Sequence, residues 1–327
     1  MTDRPPFSGK RRHRSRLSSR LVAAFLLCFG AVGGLSQEAA PAPLRFVAWN
    51  LKNYLAMERR VDGETVPDAG KPEEEIEAVI ATLAGMRPDI LGVCELGDAT
   101  YLADLQKRLK AVGIDLPHTE LVPSADGRNR NLALLSRHPI VARASRTDLT
   151  YTIGDTRLPV QRGILDVTVA PNPGYRLRCV GLHLKSKREV PEADETEMRR
   201  NEAHLVREHL DALFEAEPGA NVIVYGDFND TPDQQPPRTI RGRFRTPGYL
   251  DDLRPEDDRG ERWTHYWSFA DTYARLDYLL VSQGLARDVV KDSERIPFHP
   301  DWEKASDHRP LQVDLSGADA APAPTKK

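Results

Sequence analysis

Eight polar residues stand at or near the ends of apolar runs in this 327-residue chain, and their types suit phosphoester chemistry. Asn50 ends FVAWN, and Glu95 ends GVCE. His183 lies in GLHLKSK, Asp227 and Asn229 in VYGDFND, and Asp277 in RLDYLLVS. Asp307 and His308 share the segment SDHRP. Loops at strand ends commonly present functional groups in α/β sheets, so these residues can converge. Carboxylates, carboxamides and two imidazoles suit a hard cation that activates water against a phosphoester. Mg²⁺ takes oxygen ligands, usually one or two carboxylates with waters and substrate oxygens. No thiolate set or trio of histidines points to zinc.

Each piece alone has an ordinary explanation. Gly226-Asp227-Phe228-Asn229 can be an Asx-turn, and Ser306-Asp307 a simple turn before Pro310. Glu95 can cap the next segment, Asp277 can be a strand-edge acid, and His183 an ordinary cross-strand residue. Their joint appearance near the ends of apolar runs is what sets them apart.

The elements that must carry these groups are legible from periodicity. Residues 44–49 alternate like a strand. Pro72 and the acids Glu73, Glu74 and Glu75 suit the positive end of a helix. Its apolar stripe is Ile76, Val79, Ile80 and Leu83, ended by Gly85 and Pro88. A buried strand follows at 89–94, then a helix marked by Leu102, Leu105, Leu109 and Val112. Strands are predicted at 131–136, 162–170 and 175–184, the last two joined by a turn at 171–174. A long helix is expected near 192–216 and a short strand at 221–226, with irregular chain to about residue 262. Final strands are predicted at 263–267, 275–282 and 310–315. Hairpins mixed with crossover helices over 44–315 imply one mixed-sheet α/β domain.

In this order, Asn50, Glu95, His183, Gly226-Asp227-Phe228-Asn229, Asp277 and Ser306-Asp307-His308 resemble the endonuclease/exonuclease/phosphatase superfamily. WNLKNYL, HLKSK, GDFNDTP and YARLDYLLVS look most like its bacterial secreted nuclease-like members. The resemblance implies a four-layer α/β/β/α sandwich of two mixed sheets, with the site at one end. It implies Glu95 as the principal Mg²⁺ ligand, with Asn50 and Asp307 near the ion or its waters, and Mn²⁺ as a substitute. Asp227, helped by Asn229, would orient or deprotonate water. His308, held by Asp277, would stabilise charge on the phosphate. His183 would bind a phosphate oxygen or protonate the leaving group. The general base stays open between Asp227 and His308.

Substrate class is carried by basic residues. Lys185, Lys187 and Arg188 follow His183, and Arg162 stands in QRGIL. Arg162 is a candidate phosphate contact, or equally a surface residue at a strand edge. Arg128, Arg130 and Arg137 flank another strand, and Arg238, Arg241, Arg243 and Arg245 stud a loop. Residues 1–36 hold seven Lys or Arg and one Asp, so the remainder has 39 basic and 48 acidic residues, a net charge of about −9. So acidic a body is no general nucleic-acid binder, and a polyanion needs a local basic track or a metal. A secreted Mg²⁺-dependent phosphodiesterase acting on DNA or RNA is expected first. A phosphomonoesterase or lipid phosphodiesterase is the alternative, and an inert binding protein on the same fold a third. The loops at 117–131 and 231–262 show no exposed aromatic or aliphatic hairpin suited to lipid. No stable protein partner is implied.

Export is expected from the first segment. Lys10, Arg11, Arg12, Arg14, Arg16 and Arg20 precede the uncharged apolar run Leu21–Leu35. That run is shorter than the roughly 20 residues a spanning helix needs, so 1–36 is predicted to be a cleaved signal peptide, leaving no membrane span in the mature chain. Residues 37–43 are predicted to be a linker and 316–327 a disordered tail. Cys94 and Cys179 would remain, most simply as buried free thiols.

Overall fold

In the computed structural model, the described residues are 43–125 and 127–318. Contacts divide the chain into Met1–Ala40 and Pro41–Lys327, and the described residues belong to the second unit. The expected signal segment, residues 37–42 of the linker and the tail from residue 319 lie outside them. No described helix is long and apolar enough to cross a membrane.

Chain order begins with β1 (Leu44–Tyr54), the hairpin β2 (Met57–Val61) and β3 (Glu64–Ala69), and α1 (Glu73–Met86). Next come β4 (Ile90–Leu96), α2 (Ala99–Ala111), β5 (His118–Val122), β6 (Asn131–Ser136) and β7 (Ile140–Arg143). The hairpin β8 (Thr150–Ile153) and β9 (Thr156–Pro159) precedes β10 (Leu165–Asn172), β11 (Tyr175–His183) and α3 (Glu195–Ala216). Then follow β12 (Val222–Asp227), α4 (Gln235–Arg241), β13 (Asp251–Asp252) and the hairpin β14 (His265–Trp267) and β15 (Thr272–Ala274). β16 (Asp277–Val281), α5 (Trp302–Ala305) and β17 (Leu311–Leu315) follow.

Two large mixed sheets result, ordered β17-β1-β4-β6-β5 and β13-β16-β12-β11-β10-β7. The period-two alternation of β1 assigns its faces. Phe46 and Ala48 pack between the sheets with Leu134, Val167, Cys179 and Tyr225. Val47 and Trp49 face outward against Val79 and Leu83 of α1 and Leu105 of α2. On the second sheet Val180, Val224 and Leu280 pack outward against Val206, Leu210 and Phe214 of α3. Each apolar face is therefore covered, which gives the α/β/β/α layering. Cys94 and Cys179 are free and buried in the middle layer.

Capping follows the sequence signals. Glu73, Glu74 and Glu75 sit in the first turn of α1, which ends at left-handed Arg87 before Pro88. The Asp194 carboxylate accepts the N–H of Glu197 to start α3. Not all of the helix-facing layer is apolar. Asp166 of β10, fully buried, accepts from Arg178 Nη2 at 2.7 Å and faces His209 Nε2 at 2.7 Å.

Tyr225 of β12 crosses between the sheets, its ring edge-on to Phe46 with centroids 5.0 Å apart. Gly92 of β4 and Gly181 of β11 form its slot, since a Cβ at either would overlap the ring or hydroxyl. Any larger residue there collides with the Tyr225 side chain.

Candidate active site

Register aligns three functional residues in one row. His183 at the end of β11 pairs with Asp227 at the end of β12, and Asp227 pairs with Asp277 at the start of β16. Gly226 makes this row possible. Its φ of 124 and the closeness of the Leu182 carbonyl exclude a side chain. Leu184 N–H then donates to the Asp227 carbonyl at 3.0 Å, tying the two strand ends.

The facing sheet contributes Asn50 and Glu95. Asn50 of β1 pairs with Cys94 of β4, and the register breaks between Asn50 and Tyr54. That irregularity puts Lys52 and Asn53 at positive φ and re-aims the chain, as bulges do. Glu95 itself is left-handed, with φ 62, and so is Asn229, with φ 52. Such backbone is costly for residues other than glycine, and it persists where surroundings over-determine it. Here Glu95 Oε2 accepts the Asn53 N–H at 2.9 Å, and Arg130 Nε donates to Asn53 Oδ1 at 2.8 Å.

Asp227 is the hub. Its Oδ1 accepts Asn229 N–H at 2.8 Å, and its Oδ2 accepts Asn50 Nδ2 at 3.1 Å and Asn229 Nδ2 at 3.2 Å. His183 Nε2 lies 3.6 Å from Oδ2 and 3.9 Å from Glu95 Oε1. His308 Nε2 approaches Oδ2 at 3.7 Å, while its Nδ1 is 2.8 Å from Asp277 Oδ2. The His308 loop is fastened to β1. Trp49 Nε1 donates to the His308 carbonyl at 2.8 Å, and Ser306 Oγ donates to the Asn50 carbonyl at 2.8 Å.

Burial splits the titrating groups. It raises the Asp227 carboxyl to about 7, against the pull of His308. Burial opposes charge on His308, but Asp277 and Asp227 override it and raise the imidazole to about 10. His183 is driven well below its usual range by burial, then by Arg162, His308 and Arg130. One imidazole is therefore held charged and the other neutral, on either side of one carboxyl. Separated pairs of this kind are what acid–base and electrostatic catalysis require.

These groups open into a hollow of about 720 Å³ lined by Glu95, His183, Asp227, Asn229, Asp307 and His308. Arg162, Arg130 and Lys187 also line it. Arg162 is buried in the wall rather than at a surface strand edge. Lys187 is half-exposed, with Nζ 3.3 Å from Asp230 Oδ1. Lys185 is different. It is buried, and its Nζ donates to the carbonyls of Ser186 at 2.8 Å and Arg188 at 2.6 Å, so its charge locks the loop instead of facing the hollow.

Periodicity left two contributors unmarked. His265 of β14 pairs with His308, with ring centroids 4.6 Å apart, and burial and the charge of His308 hold its imidazole below the usual range. Its only signal is an imidazole in an alternating run. Glu202 of α3 is fully buried and accepts the N–H groups of Lys185 at 2.6 Å and Gln161 at 3.1 Å. It thereby fastens the loops that carry Lys187 and Arg162. A glutamate on the inner stripe of a helix was the available clue.

The arrangement resembles known proteins. The family described as Endonuclease/Exonuclease/phosphatase family matches residues 47–308, a span that includes every site residue from Asn50 to His308. No curated protein sequence matches the chain. Among solved structures, the human Nocturnin catalytic domain with bound sulfate superposes with a TM-score of 0.59 and 20% identity, over 83% of this chain and 93% of that one. An endonuclease/exonuclease/phosphatase from Beutenbergia cavernae gives 0.57 and 22%, over 87% and 73%. Sphingomyelinase C from Streptomyces griseocarneus gives 0.56 and 17%, over 84% and 100%. Fold and family match agree: the chain belongs to the endonuclease/exonuclease/phosphatase family, whose members are hydrolases acting on phosphoester bonds.

Proposed function

We propose that this protein is an exported, divalent-metal-dependent phosphodiesterase that hydrolyses DNA or RNA. The observation that carries the proposal is one hollow lined by His308, whose Nδ1 is engaged by Asp277, and by Asp227, His183 and Glu95, beneath a rim that includes Arg130, Lys187 and Arg188. A polyanion satisfies that rim better than a small monoester does. Export rests on the charged and apolar first segment.

The donor set fits Mg²⁺ or Mn²⁺. Glu95, Asn50 and Asp307 offer oxygen only, and Glu95 Oε1 stands on the side of His183 and the hollow. Asp227, Asp277 and His308 also bring ligand atoms within 4.8 Å of one another. That group suits a cation less well, because Asp277 occupies Nδ1 and the imidazole is held charged. Glu95 would hold the ion, with Asn50 and Asp307 beside it. When bound, it neutralises phosphate charge and acidifies water.

The protein's own groups perform the rest. Asp227, poised near neutrality and fixed by Asn50 and Asn229, orients the attacking water and takes its proton. His308, kept charged by Asp277, stabilises the negative charge that develops on the phosphate. Neutral His183 donates Nε2–H to a phosphate oxygen. Arg162 and Lys187 add charge from the wall and rim.

A lipid phosphodiesterase is the second possibility, favoured by an exposed Phe269 near the hollow. Purified protein assayed on DNA, RNA, sphingomyelin and inositol phosphates, with Mg²⁺ and with chelator, decides between them. Nucleic acids should turn over fastest, and chelation should abolish turnover. Sphingomyelin or inositol phosphate cleavage without nucleic-acid cleavage would reject the nuclease assignment.

A further inference from the structure

The β14–β15 hairpin presents aromatic rings to solvent beside the hollow. Trp267 is 54% exposed, Phe269 89% and Tyr273 55%. The rings of Trp267 and Phe269 lie 5.9 Å apart and tilted by 30°. Behind them Tyr266 stacks on Tyr273 at 4.6 Å, and Tyr273 meets Trp263 edge-on at 4.8 Å. Exposed apolar clusters of this kind mark binding surfaces.

Position ties this one to the phosphate chemistry. Trp267, Thr272 and Ala274 line the same hollow as His183 and His308. Tyr266 N–H donates to the Asp307 carbonyl at 2.9 Å, and His265 pairs with His308, so the hairpin is registered against the catalytic loop. Lys187 and Arg188 line the hollow as well. A strand whose phosphate reaches His308 therefore meets aromatic rings as well as cations.

We propose that this hairpin is a stacking platform for the unpaired bases of a single-stranded nucleic acid. The inference rests on the nuclease assignment of the same site and narrows its substrate. Trp267 takes the base beside the scissile phosphate, and Phe269 takes a base farther out. The chemistry of the tip favours this occupant over a bilayer. Its large apolar side chains are all rings, which stack on any base. Asp271 shares the tip, and Tyr266 Oη donates to its Oδ1 at 3.1 Å, so sinking the tip into acyl chains would carry a carboxylate down with it.

The test compares a fluorescent oligothymidine strand with an abasic sugar-phosphate strand of equal length. Anisotropy is measured in excess chelator, where no turnover occurs. Wild-type protein should bind the strand with bases more tightly, by roughly 5- to 150-fold for each base stacked. Trp267→Ala combined with Phe269→Ala should erase that preference, and Trp267→Phe should keep it. The salt slope should stay the same, because rings release no counterions. Equal binding of the two strands by wild type, or an unchanged preference in the double variant, would overturn the platform. So would binding to phosphatidylcholine–sphingomyelin vesicles that the double variant loses while its strand binding is intact. Cleavage of oligothymidine with Mg²⁺ is followed in parallel. Its absence, together with no cleavage of RNA, removes the nuclease assignment, whereas cleavage with base-blind binding removes only the platform.

Discussion

Asp277→Asn isolates the electrostatics of the site from its architecture. In the folded protein Asp277 Oδ2 lies 2.8 Å from His308 Nδ1, with both side chains buried. The replacement keeps shape and strand pairing, since the backbone N–H of Asp277 still donates to Thr264 Oγ1 and β16 still pairs with β12. What disappears is the charge that holds the imidazole protonated and fixes its orientation. A hydrogen bond to a charged group contributes about 1.5–3 kcal/mol, so catalysis should fall by roughly 10- to 150-fold. The assay is kcat/KM on a small chromogenic phosphodiester, with a thermal melt to show that the fold is kept. His308→Ala should lose on the order of 10²-fold, as removal of a transition-state donor does. Because Asp277 acts through His308, the double variant should be no worse than His308→Ala alone. Additive losses, or near-wild-type turnover in folded Asp277→Asn, would refute the pairing.

Three other outcomes are expected. Glu95→Gln should raise the Mg²⁺ concentration for half-maximal activity roughly tenfold or more, and an unchanged titration removes Glu95 as a ligand. Lys187→Ala combined with Arg188→Ala should lower the salt slope of strand binding by about 0.7 for each phosphate no longer neutralised, read from anisotropy against salt concentration. Asp166→Asn should cost about 3 kcal/mol in urea denaturation, because Arg178 and His209 are left without their charged partner. Burial works against the Asp166 carboxylate, but His209 and Arg178 prevail and hold it below the ordinary range. A lowered carboxylate stabilises above its unfolded pKa and stops doing so as pH falls through the folded value. The gap between wild type and variant should therefore narrow in acid, and a constant gap would contradict the ion pair.

Elements with at least one dry face were legible, because burial writes an apolar run or stripe into the sequence. The strand at 131–136 and the long helix near 192–216 appear as β6 and α3, with Val206, Leu210, Leu213 and Phe214 inward. Where neither face is buried, nothing is written. Every residue of β2 and β3 is exposed or half-buried, so this hairpin left no alternation to find. The chain from 231 to 262 looked irregular because Pro236 and Pro237 interrupt any helical pattern. Both fall in the first turn of α4, where a missing N–H does no harm. Residues 263–267 were expected to form a strand, yet only His265–Trp267 form one, and Trp267 points to solvent. β1 continues past its expected end to Tyr54 through residues at positive φ, a backbone event that side-chain pattern does not encode.

Site residues were legible for another reason: charged and amide side chains stand out at the ends of apolar strands. Which way each one points was not. Lys185 and Lys187 are two positions apart and read alike, but one ammonium is consumed by carbonyls of its own loop and the other reaches the hollow. Glu202 was hidden because its partners are backbone amides, which every sequence possesses.

β1 and β17 pair antiparallel, Leu44 with Leu315 through Ala48 with Leu311, so near-terminal parts of the described chain lie side by side. Ribosomal synthesis delivers them far apart in time. Until residues 306–315 arrive, Asn50, Glu95, His183, Asp227 and Asp277 have no His308, and the edge of the first sheet is bare. A nascent chain therefore lacks a complete site. Loss of the last strand should yield a protein without activity, not a slower one. In that sense the closing strand works as a timer: the site is assembled only after translation of this region has finished.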